Sequence, residues 1–294
     1  MPKNFKTAAA FRQALEQRLK TTAAARGVPR NTLRLKLIIE RLLARLFAEP
    51  DPPWLLKGGY AMELRYRPHA RTTTDIDLSV SAGQRAIRMS GQLDIIRDAL
   101  QAAADVDAGD YFQFLIGSAR TELAGAPLGG ARFPVEVRLA GRVFGNLHID
   151  VGVGDALYGT PEPLTGDDLL AFAGIRPGAA LAIPRAQQFA EKIHAYTYPW
   201  TDRPNTRTKD LVDLLLLLER DPPSASEIRA SLIATFAARR THPIPQALPP
   251  PPDSWASDFA AMAAEANFVP RDLAGGFARL AQYWVEHRLF EAPS

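Results

Sequence analysis

The sequence predicts an α/β protein: N-terminal helices and a mixed-sheet lobe over residues 1–160, then a helical lobe over 161–294. Three observations carry that reading. Apolar and polar residues alternate at 75–80 and again at 143–153, the period of a strand. Helix-periodic runs flank both stretches, and from Pro161 onward no convincing strand follows. A chain of 294 residues, 47% hydrophobic and 23% charged, has the ordinary balance of a globular protein with room for two lobes. No apolar run reaches the ~20 residues of a membrane span. The opening MPKNFKTAAAF lacks a signal-peptide core, so a cytoplasmic location and no membrane partner are expected. The absence of cysteine excludes disulfides and thiolate zinc sites, and the five histidines show no HxxxH spacing.

Taken in order, residues 6–26 read as an alanine-rich helix ending near Gly27, with Pro29 just beyond. Asn31 or Thr32 can cap a second helix reaching about Ala48. Leu35, Ile38, Ile39, Leu42 and Leu46 form its apolar stripe, with Arg34, Arg41 and Arg45 on another face. Residues 1–50 hold eleven Lys/Arg against three acids, while the remainder has 24 against 29. That asymmetry suggests a polyanion-binding segment, with Arg34, Arg41 and Arg45 as candidate RNA contacts; the alternative is a solvated helix face. Pro50, Pro52 and Pro53 break the chain before Trp54. Arg85–Ala104 reads as a helix, and Tyr111–Leu115, Val135–Leu139 and Val143–Val151 as strands. Pro184 begins a helix that continues through Gln187–Tyr196, where Gln188 and Lys192 share a face. Arg207, Asp210 and Asp213, spaced by three, line one side of a leucine-rich helix. Residues 243–252 (PIPQALPPPP) form a stiff linker before two more helices, about 254–267 and 271–290.

The chemistry gathers between Leu55 and Val80. Gly58-Gly59 opens a helix-compatible run, and glycine lets backbone N–H groups at a helix start approach phosphate closely. In the strand DIDLSV, Asp75 and Asp77 project from one face, and Ile76, Leu78 and Val80 from the other. Two adjacent carboxylates repel unless a cation lies between them, and an oxygen-only pair suits Mg2+ completed by substrate phosphates. In VFGNLHIDVGV, Asp150 faces away from the apolar side and supplies a third carboxylate on a neighbouring strand. Paired acids on one strand and a single acid on the next is the plan of the DNA-polymerase-β-like nucleotidyltransferases. Lys192 is the candidate point charge for the phosphates, with Lys57 and Arg71 weaker candidates for the same task.

The run KGGYAMEL…RTTTDIDL, followed by EKIHAY at Glu191–Tyr196 and RTKDLVDL at Arg207–Leu214, resembles the AbiEii-type nucleotidyltransferase toxins, including the MenT-like group. All four blocks occur in the family order across about positions 55–215; the 15 residues between Gly59 and Asp75 favour this toxin-like branch. The resemblance implies a nucleotidyltransferase lobe, an NTP substrate with Mg2+, and Asp210 as a required residue that orients Lys192 or engages the acceptor. It also implies transfer of a nucleoside monophosphate to the 3′ end of tRNA, which would block translation and growth, and a cognate antitoxin. Two alternatives stay open: a nucleotidyltransferase acting on a protein or small molecule, and a catalytically silent nucleic-acid-binding protein.

Extending the strand period backward from Asp77 and Asp75 reaches Thr73, with Thr72 and Thr74 expected to point away. Phosphate on Thr73 would add about −1.5 to −2 charges beside the carboxylates, so modification by an antitoxin acting as a kinase would switch the enzyme off. The alternative is that Thr73 satisfies a local backbone group.

Overall fold

The computed structural model describes residues 5–71, 73–80, 93–122, 125–201, 204–267 and 269–291. Contacts divide the chain into two compact units: one of 1–56, 74–153 and 163–182, the other of 57–73, 154–162 and 183–294. The expected single boundary at residue 160 differs from this interleaved division. Three segments account for the difference, and residues 154–160, grouped with the second unit, are one of them. Residues 163–182 carry strands that return to the sheet, and residues 57–73 belong with the C-terminal helices.

In the first unit, α1 (Ala8–Arg26) starts where the Thr7 side chain accepts from the Ala10 amide at 3.2 Å, satisfying one orphan donor. It stops at Gly27, whose φ of 65° is a left-handed turn open to glycine at no steric cost. The second helix, α2 (Arg30–Leu46), begins at Pro29 rather than at Asn31 or Thr32, because the proline fixes the entry geometry. Leu37, Ile38, Ile39, Leu42 and Leu46 are buried along it, and it packs against the sheet. The expected helix at Arg85–Ala104 is present as α4 (Leu93–Ala104); positions 85–92 lie outside the described residues.

The strands are β1 (Trp54–Lys57), β2 (Ile76–Val80), β3 (Phe112–Ile116), β4 (Thr121–Glu122), β5 (Gly130–Leu139), β6 (Arg142–Gly152), β7 (Glu162–Thr165) and β8 (Ala179–Ala182). They form one mixed sheet in the order β3-β5-β6-β2-β1-β8-β7, with β4 beside β5. β2 runs parallel to β6, β1 parallel to β8, and β5 antiparallel to β3, β4 and β6. Two strands beyond Pro161 overturn the expectation of none. EPLT and AALA are short and poor in β-branched and aromatic residues, so propensity is silent there and pairing decides.

In the second unit, α3 (Gly58–Tyr66) joins α5 (Arg185–Thr197), α6 (Thr208–Glu219), α7 (Ala225–Arg239), α8 (Ala256–Ala266) and α9 (Leu273–Glu286). Leu211, Val212 and Leu214–Leu217 pack with Phe189, Ile193, Trp255, Phe259 and Trp284 into one apolar core. No helix was expected at α7, although its start signal is local. Ser224 and Glu227 form a capping box, each side chain satisfying the other's backbone N–H. Among the described residues no helix is long and apolar enough to cross a membrane.

Candidate active site

The carboxylates come from the sheet of the first unit. Asp77 on β2 is in register with Asp150 on β6, and because the strands are parallel both project from the same face. Ile76, Leu78, Ile149 and Val151 fill the opposite, buried face. Asp75, immediately before β2, is exposed. The register therefore brings Asp77 and Asp150 to one side of the sheet, with Asp75 just before the strand.

The structure adds a residue that the sequence reading missed. Arg132 on β5 lies directly opposite Asp150. Its Nε donates to Asp150 Oδ1 and its Nη2 to Oδ2, both at 2.7 Å. The pair holds the arginine's pKa above its ordinary value, with Asp75 and Asp77 adding to the effect. Among the described residues, no three histidines, cysteines or acids converge as a ready metal cage.

The lysine and the KD motif lie in the second unit. Lys192, one turn beyond Gln188 on α5, donates to Asp210 at 3.1 Å and to Asp213 at 2.6 Å, both on α6. Its side chain is only 7% exposed, so this is a held lysine and not a solvated one. Burial alone would lower its pKa, but Asp213 and Asp210 outweigh burial and raise it. Burial pushes Asp210 the other way, and Lys192 and Arg207 overcome it, keeping that carboxylate below its usual range. Asp213 is the hub. It also accepts from Arg71 Nε at 3.2 Å and Nη2 at 2.9 Å, a bidentate fork.

Arg71 in turn donates from Nη1 to the Thr73 hydroxyl at 3.0 Å, while the Thr73 amide donates to the Glu63 carboxylate at 2.8 Å. Thr73 is buried, so a modifying enzyme would first have to expose it; Thr72 lies outside the described residues. A Cβ on Gly59 would stand 2.7 Å from Thr73 Oγ1 and 2.8 Å from Arg71 Nη2. Glycine is required at 59 by this packing, a reason the sequence did not disclose. Gly58 has φ of 67°, and its carbonyl accepts from Gln188 Nε2 at 2.6 Å.

Lys57 belongs to a different cluster. It donates to Asp155, which also accepts from Arg239 Nη2 at 2.9 Å, and it lies 3.6 Å from Glu191. Burial would lower the Lys57 pKa; Asp155 and Glu191 more than compensate. Its charge is thus committed within the second unit.

The expected RNA contacts on α2 require correction. Arg41 and Arg45 are buried, with side chains 5% and 2% exposed, and both bind Asp110, which is fully buried. Arg45 grips both carboxylate oxygens, at 2.5 and 2.9 Å, and also donates to the Phe112 carbonyl. Arg34 pairs with Glu16 at 2.5 Å and stacks over Phe144. Buried arginines with satisfied donors are structural, and among the described residues the exposed basic residues of this segment are Lys6, Arg18, Lys20, Arg26 and Arg30.

The class of protein is a nucleotidyltransferase, as the family match shows. The family described as the nucleotidyl transferase AbiEii toxin of type IV toxin-antitoxin systems matches residues 41–284, and the chain belongs to that family. Membership implies an NTP substrate and an antitoxin. Among solved structures, MenT4, a nucleotidyltransferase toxin from Mycobacterium tuberculosis H37Rv, is similar over 98% of this chain and 91% of its own. The identity is 15% and the TM-score 0.55, a likeness of fold. The antibiotic-resistance factor ANT(2'')-Ia aligns over 71% of this chain and 94% of its own at 18% identity, with a TM-score of 0.39. The comparison with curated proteins gave no match.

Proposed function

We propose that this enzyme transfers a nucleoside monophosphate from an NTP to a hydroxyl at the 3′ end of tRNA, blocking translation and growth until an antitoxin intervenes. The observation that supports the reading is the register of Asp77 with Asp150 on neighbouring parallel strands, with Asp75 two residues before Asp77. Asp75 and Asp77 are an all-oxygen pair at two-residue spacing, which fits Mg2+ with substrate phosphates completing its shell. When bound there, Mg2+ would neutralise phosphate charge and align the attacking oxygen with the α-phosphate.

The chain's own residues do the rest. Lys192 supplies a cation to the triphosphate, and Asp210 and Asp213 fix where its ammonium points. Asp210 thereby takes the orienting role rather than the acceptor's. Gly58 and Gly59 open α3 without a side-chain cap from Lys57, leaving early amides of that helix to serve phosphate oxygens. Arg71 and Lys57 support this frame from within their ion pairs. Contact with RNA falls to the exposed Arg18, Lys20, Arg26 and Arg30, since phosphate contacts dominate such affinity. Phosphorylation of Thr73, if an antitoxin performs it, would break the Arg71 hydrogen bond and add charge beside Glu63.

The test incubates the protein with each labelled NTP, Mg2+ and total RNA. Label on the 3′ end of tRNA is the expected result. Label on protein would move the acceptor, and no label on any macromolecule or small molecule would leave only nucleic-acid binding. Asp77→Asn should retain its fold and lose transfer by more than the roughly 100-fold that removing a metal's outer-shell partner costs.

A further inference from the structure

Three residues occupy one level of the sheet: Asp77 on β2, Asp150 on β6 and Arg132 on β5. Members of such a row project from the same face, so the register alone sets an arginine in line with the acids. The bond between Arg132 and Asp150 is a two-pronged fork with both contacts at 2.7 Å. A fork of this kind engages both carboxylate oxygens and is among the strongest ion-pair geometries. The acid end of the pair is largely enclosed and the arginine end is open, with side-chain exposures of 14% and 43%.

A divalent ion approaching Asp150 would have to break both hydrogen bonds. It would also have to settle beside a fixed positive charge, and like charges at close range repel. Asp77 lies on the neighbouring strand β2, and Asp75 just before it. The Arg132 guanidinium interacts favourably with both of them through space.

We propose that Arg132 takes the place of a second metal ion: Asp150 holds its guanidinium, and the chain binds one divalent ion through Asp75 and Asp77. A guanidinium has five donors, and the fork to Asp150 uses two, leaving the outward edge for phosphate oxygens of the NTP. Arginine clamps are an established means of stabilising charge on a transferring phosphoryl group. Lysine could not replace it fully, because an ammonium is a point charge without the planar fork. This inference rests on the reading that Asp75 and Asp77 hold the metal.

The experiment counts Mn2+ bound to the full chain by electron paramagnetic resonance, without nucleotide, in the parent and in Asp77→Asn, Asp150→Asn and Arg132→Gln. The parent is expected to bind one ion and Asp77→Asn to lose it. Asp150→Asn should keep the same number, with affinity changed by no more than about twofold, well short of the roughly tenfold or greater loss of even an outer-shell partner. Arg132→Gln should bind a second ion while losing transfer, and Arg132→Lys should recover part of the transfer. Two ions on the parent, a tenfold weakening in Asp150→Asn, or Mn2+ binding and transfer unchanged in Arg132→Gln would each overturn the assignment. Undiminished Mn2+ binding by Asp77→Asn would instead overturn the metal reading beneath it.

Discussion

The acids of the sheet and the acids of α6 are the same chemical group under opposite conditions. Asp75 is exposed and Asp77 half-buried, carried by a strand whose other face forms the core. Asp210 and Asp213 are buried at 7% and 1% exposure, and each is bonded to a cation that the chain itself supplies. Acids near solvent keep much of their hydration and can exchange water for a cation from solution. Buried acids cannot do so; their partners must already be in place, or the desolvation cost of several kcal/mol per ion goes unanswered. The first arrangement suits exchangeable ligands. The second suits fixed positioning, and it explains why one acid, Asp213, can steer both Lys192 and Arg71.

The comparison breaks most sharply at Asp213. Asp213→Ala would leave Lys192 and Arg71 buried with one partner removed, and loss of a buried ion partner costs about 3–5 kcal/mol. Chemical denaturation should register that loss together with a fall in transfer. The same measurement on Asp75→Ala should show a change within about 0.5 kcal/mol, as for an exposed site. Equal losses at the two sites would dissolve the distinction.

Asp110 sharpens it by supplying a buried acid away from any proposed chemistry. Asp110→Ala strands Arg41 and Arg45 and should also cost about 3–5 kcal/mol. The protein that remains folded at low temperature should transfer at the parental rate per folded molecule. A lower rate per folded molecule would make this cluster more than structural.

The smallest effect concerns His194 on α5, whose pKa is lowered to about 3 by burial and then by Arg239. The unfolded chain binds that proton near pH 6.5 and the folded chain does not, so stability is full above pH 6.5 and declines as pH falls toward 3. His194→Gln should flatten stability between pH 6.5 and about 4, above the range where carboxylates dominate. His242, also lowered by burial, leaves a residual slope. An unchanged profile would show that His194 does not control it.

Local pattern was enough for much of this molecule. Alternation in DIDLSV and VFGNLHIDVGV identified β2 and β6 and the shared face of Asp77 and Asp150, because side-chain direction in a strand follows from backbone dihedrals alone. Spacing of three and four likewise placed Lys192, Asp210 and Asp213 on helices. Ser224 and Glu227 would have identified α7 by the same local logic.

Partnership is another matter, because an ion pair depends on distance in space and the sequence records only distance along the chain. Arg41 and Arg45 look like a solvated stripe until Asp110 arrives from more than 60 positions away. Arg132 reaches Asp150 only through the antiparallel register of β5 and β6, and Arg71 reaches Asp213 across 142 positions. Nor could EPLT and AALA declare themselves as strands, since hydrogen bonds to neighbours form them rather than their own propensity. The sequence by itself determined which way side chains point along each strand and helix, because that period follows from local backbone geometry. Only the tertiary structure decided which charges are already spent on one another, because that depends on the burial and register that folding creates.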